Sequence, residues 1–263
     1  METSYQKLSL EGRRALVSGA SQGIGKAVAF HFSQLGAKLI LLARNEENLN
    51  KVKQSLVGTG HEILVLDVGN LDQLQKQLQF AVQSDSIDIV VNNSGGPKGG
   101  QLLEAKAQDF EIAFRQHVLA AQITLQVCVE GMKKKNYGRV INIISTSVKA
   151  PIPNLGVSNT VRGAMANWAK TMATELGPFG ITVNNVLPGF TQTGRLDELR
   201  KATAIKTGQA EEIVDRQWKS AIPAGRFAAP SELAAAVSFL ASPWASYING
   251  INLPVDGGRT PSL

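Results

Sequence analysis

The feature that most constrains the fold is a regular alternation of short β-branched runs and longer helical stretches. Seven runs are nearly continuous in apolar residues, which is typical of parallel strands covered on both faces. The alternation predicts an α/β fold, a doubly wound parallel sheet of about seven strands with helices on both faces. The predicted strands are 14–18, 38–43, 62–67, 87–92, 139–144, 182–187 and 251–255, and the predicted helices are 24–35, 46–56, 71–82, 110–133, 157–176 and 231–240.

The length of 263 residues fits one large α/β domain spanning 1–263 better than two ordinary ones. A single cysteine excludes a disulfide framework and a multi-cysteine zinc site within the chain, so we expect no metal. No apolar run approaches the roughly 18 residues needed to cross a bilayer, and the first residues lack the apolar centre of a signal peptide. These observations predict a cytoplasmic protein without membrane association.

The charge balance raises the question of an acidic partner, because 27 Lys and Arg residues against 21 Asp and Glu residues give a net charge of +6. The only dense cationic run is Lys133, Lys134 and Lys135, followed by Arg139. It lies where a helix is predicted to end, and cations there complement the helix dipole. No aromatic residues are interleaved with it as stacking platforms for bases. We therefore expect a small-molecule substrate and no nucleic acid.

Residues 193–222 interrupt the alternation between the last two predicted strands and fit one or two amphipathic helices. Open α/β sheets bind ligands beyond the carboxyl ends of their strands. An insertion that leaves such an end is a candidate lid or wall of a substrate pocket. The alternative is an ordinary crossover of extra length.

A glycine-rich turn joins the first predicted strand to the first predicted helix. Glycine allows a tight turn and close approach of a phosphate to the backbone, and the following helix start offers free N–H groups. The spacing is G-x3-G-x-G, which differs from the G-x-G-x-x-G of the common dinucleotide fingerprint. In this position it predicts a cofactor site formed by Gly19, Ser21, Gln22, Gly23, Ile24 and Gly25.

The turn after the second strand indicates which dinucleotide binds. An NAD site would carry an acidic residue there, whereas this chain has Ala43 and Arg44. A guanidinium can grip a 2′-phosphate in bidentate fashion, so the sequence favours NADP over NAD, although Arg44 could also be a solvated loop cation. Asp67, at the end of the third strand, is placed to meet the adenine. Residues 92–96 suit the lining of a cofactor trough or simple turn chemistry.

Together these segments resemble the short-chain dehydrogenase/reductase family over residues 8–258, most of all its single-domain members such as the 3-oxoacyl-acyl-carrier-protein reductases. VSGASQGIG is similar to the family's cofactor turn, LDV to its adenine contact, NNSGG to its Asn-Asn-Ala-Gly motif, and PGFTQT to the loop that holds the nicotinamide amide. The resemblance implies a Rossmann-like fold, NAD(P)-dependent hydride transfer, and a homotetramer or homodimer formed through the long helices and the last strand. It adds these cofactor contacts: Val68, Asn93, Ser94, Gly95, Arg162, Pro188, Gly189, Thr191 and Thr193.

The same resemblance implies a catalytic tetrad of Asn, Ser, Tyr and Lys, and three of these positions are changed. The serine is Ser145, while Ser158 stands at the tyrosine position, Arg162 at the lysine position and His117 at the asparagine position. In the family the phenol donates the proton and the lysine lowers its pKa. A serine hydroxyl is far less acidic, and arginine stays charged at any working pH. The usual acid is therefore missing.

Other groups could replace it. Ser158 and Arg162, at i and i+4, share the helix face toward the predicted trough. His117 and Lys149 are candidate acids, since histidine titrates near neutrality and a desolvated lysine shifts its pKa downward. The alternatives are that His117 bridges backbone groups, that Lys149 is solvated, and that Ser158 is a passive helix residue. No tyrosine is an obvious substitute; the chain has Tyr5, Tyr137 and Tyr247.

The sequence favours an NADP(H)-dependent oxidoreductase acting on a carbonyl or alcohol substrate with a rearranged proton relay. Ser145 with Ser158 or Lys149 would hold the substrate carbonyl, Arg162 would fix the nicotinamide ribose, and His117 or Lys149 would supply the proton. Two alternatives stay open. One is a catalytically silent nucleotide-binding sensor or scaffold of the same fold. The other is an enzyme of this fold with non-redox chemistry, in which His117 or Lys149 acts as a base.

Overall fold

The computed structural model describes residues 8–262, and its centre is a seven-stranded sheet in the order β3-β2-β1-β4-β5-β6-β7 with every pair parallel. The strands are β1 Arg14–Ser18, β2 Lys38–Ala43, β3 Glu62–Val65, β4 Ile89–Asn92, β5 Gly138–Ile143, β6 Ile181–Pro188 and β7 Asn252–Val255. The helices are α1 Gly23–Gln34, α2 Glu46–Ser55, α3 Leu71–Ser84, α4 Ala107–Phe114, α5 Ala120–Lys134, α6 Gly156–Leu176, α7 Gly194–Thr207, α8 Glu211–Ser220 and α9 Pro230–Ala241. The predicted α/β fold is confirmed.

Helices cover both faces of the sheet because alternate strand residues point to opposite sides. In β1, Ala15 and Val17 join a core that also contains Phe32 of α1 and Val237 of α9. Leu16 joins the opposite core, which α3, α5 and α6 cover. Burial on both faces explains why the strands are continuous apolar runs in the sequence.

The strand order reverses beside β1, which pairs with β2 on one side and with β4 on the other. Chain connections leave in opposite directions from such a point, so a crevice opens at the carboxyl ends of the two strands. The glycine-rich turn after β1 lies at this crevice. The topology therefore places the predicted cofactor site where open α/β sheets bind ligands.

The predicted helix 110–133 is interrupted, and the single-helix prediction is wrong in this respect. α4 ends at Phe114, one π-helical turn covers Arg115–Leu119, and α5 begins at Ala120. A π turn accommodates an extra residue in an α-helix and is frequent at functional sites. Here it contains His117, which is buried.

Residues 193–222 form two helices, α7 and α8, that an ion cluster fastens together. Arg200 of α7 contacts Asp197 of its own helix at 2.9 Å, and Glu211 and Asp215 of α8 at 3.0 and 3.3 Å. We call residues 194–220 the lid hairpin, after the role predicted for this segment. None of the helices described between residues 8 and 262 has the length and apolar character that a bilayer crossing requires.

Candidate active site

The glycine elbow, residues 19–25, leaves no room for side chains where β1 turns into α1. Gly19 and Gly23 have left-handed backbone φ values of 62° and 55°. A Cβ added to Gly25 would lie 2.2 Å from the Gly19 carbonyl oxygen. The first turn of α1 has no side-chain cap from Gln22, so its N–H groups are left for a ligand. These features fit the diphosphate of a dinucleotide.

Asn93 and Ser18 join the ends of β4 and β1 beside the elbow. The Asn93 amide nitrogen Nδ2 donates to the Ser18 carbonyl at 3.2 Å, and the Asn93 backbone N–H donates to Ser18 Oγ at 3.0 Å. Ser18 Oγ donates in turn to the Val91 carbonyl at 3.0 Å. Asn93 therefore holds the elbow in place, in addition to its predicted role in lining the trough.

The residues predicted at the adenine end of the cofactor meet at the carboxyl ends of β2 and β3. Arg44 Nη1 lies 3.6 Å from Asp67 Oδ2, and the Arg44 side chain is 78% exposed. Exposed ion pairs of this kind contribute little stability. The guanidinium is therefore available for a 2′-phosphate. The other Asp67 oxygen accepts from the Gly69 N–H at 2.8 Å, which fixes the carboxylate.

The serine and arginine at tetrad positions are brought to the carboxyl end of β5. Ser145 is half-buried, and its Oγ accepts from the Ser147 N–H at 3.1 Å. Arg162 of α6 is 7% exposed and donates from Nη1 to the Ile143 carbonyl at 3.1 Å. Burial lowers the Arg162 pKa to about 10, so the guanidinium stays charged at neutral pH. Ser158 and Lys149 are half-buried at the same edge of the sheet.

His117 is held by a side chain, not by backbone groups of its helix. Its Nδ1 lies 2.7 Å from Ser94 Oγ, while Nε2 is buried without a hydrogen-bond partner. Burial, and secondarily the charge of Arg162, lowers the His117 pKa to about 3. A neutral imidazole has no acidic proton to give at neutral pH. Burial therefore disfavours the protonated imidazole that a proton donor needs, and the role of His117 as proton donor stays a prediction.

A small cavity of about 20 Å³ lies between these groups, bordered by Asn92, Asn142, His117, Arg162 and Met165. A volume of this size holds roughly one water molecule. A water there has polar partners on several sides. It is also the natural partner for a buried imidazole nitrogen.

An asparagine ladder crosses four strands next to this cavity, and the sequence analysis missed it. Asn92, Asn142, Asn185 and Asn252 are register partners on β4 to β7. Each Nδ2 donates to the Oδ1 of the next residue in that order, at 2.8 Å in all three bonds. The available signal was an asparagine within each of four consecutive strands.

A second feature that the sequence analysis missed links the predicted nicotinamide loop to the lid hairpin. Phe190, two residues after β6, stacks on Trp218 of α8 with ring centroids 4.8 Å apart and planes 8° apart. The Arg259 guanidinium lies 4.4 Å from the Phe190 ring centroid, and Phe227 meets the ring at an angle. We call these four residues the aromatic clamp.

The remaining predicted nicotinamide contacts lie in the same loop. Thr191 Oγ1 donates to the Gly189 carbonyl at 3.1 Å, and Thr193 Oγ1 donates to the Thr191 carbonyl at 3.3 Å. The Gly189 N–H donates to the Val255 carbonyl, which ties the loop to the end of β7. The loop backbone is thus well fixed beyond Pro188.

The described tyrosines lie away from the site, as the sequence predicted. Tyr137 precedes β5, at the opposite edge of the sheet, where its hydroxyl donates to the Ala241 carbonyl at 2.6 Å. Tyr247 is fully exposed before β7. Tyr5 lies outside the described residues. No phenol between residues 8 and 262 replaces the family's proton donor.

Fold and site define a dinucleotide-dependent oxidoreductase. Residues 19–260 match the family model described as enoyl-(acyl carrier protein) reductase, a match that covers most of the chain. The chain belongs to this family of short-chain dehydrogenases/reductases.

Named relatives are similar over nearly their whole length. The chain is 34% identical to the 3-oxoacyl-[acyl-carrier-protein] reductase FabG of Vibrio cholerae, over 95% of this chain and 98% of that protein. It is 31% identical to the NADPH-dependent reductase BacG of Bacillus subtilis, over 95% and 99%. The structure of L-sorbose reductase from Gluconobacter frateurii, complexed with NADPH and L-sorbose, has a TM-score of 0.89 at 28% identity and covers 98% of this chain and 100% of that chain. These findings confirm the predicted NADP(H)-dependent oxidoreductase acting on carbonyl or alcohol substrates.

Proposed function

We propose that this chain transfers a hydride between NADP(H) and a carbonyl carbon in a site where serine hydroxyls and a buried arginine replace the usual tyrosine and lysine. The observation that carries the proposal is the position of the glycine elbow, Ser145 and Arg162 at one edge of the sheet. The cofactor supplies the hydride, and the protein supplies orientation and electrostatics. The chain acts as one domain, 1–263, with the lid hairpin over the substrate.

The cofactor residues divide by the part of the dinucleotide that each would hold. The elbow binds the diphosphate through backbone N–H groups, Arg44 binds the 2′-phosphate, and Asp67 with Val68 meets the adenine. Arg162 binds the nicotinamide ribose. The trough and the amide pocket are formed by Asn93, Ser94, Gly95, Pro188, Gly189, Thr191 and Thr193.

The substrate carbonyl oxygen is held by the hydroxyls of Ser145 and Ser158. A neutral His117 and a permanently charged Arg162 are both poor proton donors at neutral pH. Of the proton donors predicted from the sequence, Lys149 is the one that remains. It lies four residues after Ser145, behind the short helical turn Thr146–Val148. We therefore assign the proton transfer to Lys149 and the orientation of Ser94 to His117.

The test is binding and turnover of both cofactors over a panel of ketones, aldehydes and alcohols. Arg44→Gln is expected to weaken NADPH binding about ten-fold and to leave NADH binding unchanged, because a charge-assisted phosphate contact is lost. Lys51→Gln, which removes an exposed charge on α2, is the matched control. Ser145→Ala should abolish most turnover while NADPH affinity is retained.

A silent sensor or scaffold is the second candidate, favoured by the three changed tetrad positions. Tight NADPH binding without turnover over the whole panel would support it against an enzyme. The non-redox alternative loses one of its two candidate bases, since a pKa of about 3 makes His117 a poor proton acceptor at neutral pH. It then depends on Lys149 alone.

We further propose that the long helices form a subunit interface, in a homodimer or homotetramer. An apolar hollow of about 500 Å³ lies between α4, the π turn and α6, bordered by Phe110, Phe114, Leu119, Val161 and Ala164. Phe114 is 40% exposed. Light scattering should give a multiple of 28.1 kDa, and Phe114→Glu should reduce it. We place the assembly in the cytoplasm, which cell fractionation would test.

A further inference from the structure

Arg162 carries a buried positive charge that no carboxylate compensates. The residue is 7% exposed, and its hydrogen bond to the Ile143 carbonyl uses one of the five N–H donors of a guanidinium. It takes part in no ion pair within residues 8–262, and burial alone shifts its pKa. Buried charges in proteins are normally paired, because an isolated one costs several kcal/mol. A negatively charged group on a bound ligand would supply the missing compensation.

The loops that follow β4, β5 and β6 around Arg162 contain no acidic residue. The acidic residues of α4, which packs against α6, are Asp109 and Glu111, and both are exposed. Residues 89–103, 131–174 and 176–196 include the loops after β4, β5 and β6, and they lack both Asp and Glu. At the carboxyl edge these segments carry Lys98, Lys149, Arg162 and Arg195. The nicotinamide half of the site is therefore positive, whereas Asp67 pairs with Arg44 at the adenine half.

Two nearby carboxylates are already engaged. Glu198 pairs with Arg195 on the exposed surface of α7 at 3.3 Å. Asp256, after β7, accepts from the N–H groups of Gly258 and Thr260 and from the Thr260 hydroxyl. His117 is neutral and adds no charge of either sign.

The oxidised nicotinamide ring adds positive charge at this end of the site, although the phosphates of the cofactor are negative. The nicotinamide ribose offers Arg162 neutral hydroxyls, and the oxidised nicotinamide ring is itself positive. Two like charges in a partly buried site repel strongly, because the local dielectric constant is low. A negative group on the substrate would neutralise Arg162 and stabilise the oxidised ring together.

Gly96, in the loop after β4, lies close to the guanidinium. A Cβ added to Gly96 would lie 3.8 Å from Arg162 Nη2, and one added to Gly95 would meet nothing within 4 Å. Both glycines are exposed. Glycine has more backbone freedom than other residues, so this part of the loop can adjust to a ligand that approaches Arg162.

We propose that the substrate of this enzyme carries a carboxylate, which binds Arg162 beside the reacting carbonyl and is attracted by Lys98 and Lys149. A carboxylate is planar and singly charged, so its two oxygens match the guanidinium fork and its charge matches one arginine. The inference rests on the proposed hydride transfer and adds the chemical class of its substrate.

The test compares acids with their uncharged esters. 3-Oxobutanoate and methyl 3-oxobutanoate, and 2-oxobutanoate and its methyl ester, are titrated by calorimetry into the full chain saturated with NADP⁺. Inorganic phosphate is a third probe. We expect each acid to bind at least about ten-fold tighter than its ester and tighter than phosphate. Arg162→Gln should reduce acid binding to the level of the ester, and Arg162→Lys should restore part of it.

A second pair of variants keeps the test decisive if Arg162→Gln does not fold. Lys98→Gln should raise the Kd of the acids several-fold and leave that of the esters unchanged. Lys76→Gln, an equal charge change on the exposed face of α3, should change neither. Three results would overturn the carboxylate proposal alone, provided that the protein still binds and oxidises NADPH. They are equal binding of acid and ester, no binding of either, and tighter binding of phosphate than of the acids. Loss of NADPH binding in the unmodified chain would instead overturn the function on which it rests.

Discussion

Replacing Asn142 with leucine tests how much the asparagine ladder stabilises the sheet. Asn142 is fully buried and makes two side-chain hydrogen bonds, accepting from Asn92 and donating to Asn185. Leucine has a similar volume but leaves Asn185 Oδ1 without its donor, in a residue only 2% exposed. An unpaired buried polar group costs about 1–3 kcal/mol. The Asn142→Leu variant also leaves the Asn92 amide without its acceptor, but Asn92 borders the water-sized cavity, so this loss costs less free energy than the one at Asn185.

The total comes to roughly 2–4 kcal/mol of unfolding free energy, since the loss at Asn185 is the larger part. For a chain of this length each kcal/mol corresponds to about 2–4 °C in Tm. Urea unfolding at fixed protein concentration measures the change, with an unchanged m-value expected. Asn252→Leu, at the half-buried end of the ladder, breaks one bond and leaves only Asn185 Nδ2 unpaired, so it should cost less than Asn142→Leu, which breaks two bonds.

The energetic coupling between Asn142 and Asn185 is a stricter test of whether the ladder acts as one unit. Once Asn142 is leucine, Asn185→Leu removes an already unpaired group, so the double variant should be more stable than the sum of the single losses by about 1–2 kcal/mol. Additive losses, or a single-variant loss below about 0.5 kcal/mol, would show that the three short bonds do not act as a connected unit.

Three further outcomes are expected. Gly25→Ala should abolish NADPH binding in fluorescence titrations because its Cβ would meet backbone at 2.2 Å, whereas Gly163→Ala, in an exposed open position on α6, should stabilise by about 0.5–1 kcal/mol. The unfolding free energy should fall as the pH drops below 6.5, because His117 binds a proton in the unfolded state but not in the folded state until about pH 3. By about pH 5 the loss of unfolding free energy is roughly 2 kcal/mol, and it should be absent in His117→Asn. An equal loss in that variant would contradict the lowered pKa of His117. Trp218→Leu should raise the substrate KM up to about ten-fold, because the stacking on Phe190 is lost, while Trp218→Phe should keep most of that stacking and a KM near that of the unmodified chain. Equal KM values for the two variants in steady-state assays would show that the aromatic clamp does not shape the substrate site.

The sheet could be predicted from the sequence because each strand is buried on both faces. Continuous apolar runs and intervening helical periodicity then leave few topologies. The helix 110–133 could not be predicted correctly, because its residues are compatible with an unbroken α-helix. The π turn brings His117 into a tertiary contact with Ser94, and sequence periodicity carries no information about such contacts.

The cofactor half of the site was accessible from the sequence for a different reason. The glycine elbow and Arg44 follow strands directly, so their positions depend only on chain order. The asparagine ladder depends on the register of four strands, and the His117 pKa depends on burial by residues distant in the chain. Both properties arise only after packing, which is why the sequence left the proton donor open.

The ion cluster at Arg200 makes the lid hairpin a transferable module. A graft that carries residues 194–220 into a related scaffold as one piece brings Asp197, Glu211 and Asp215 along with the arginine. A junction placed between α7 and α8 instead leaves Arg200 with one of its three acidic partners. Recombination between members of this fold therefore has favourable crossover points before α7 and after α8, and an unfavourable one between the two helices.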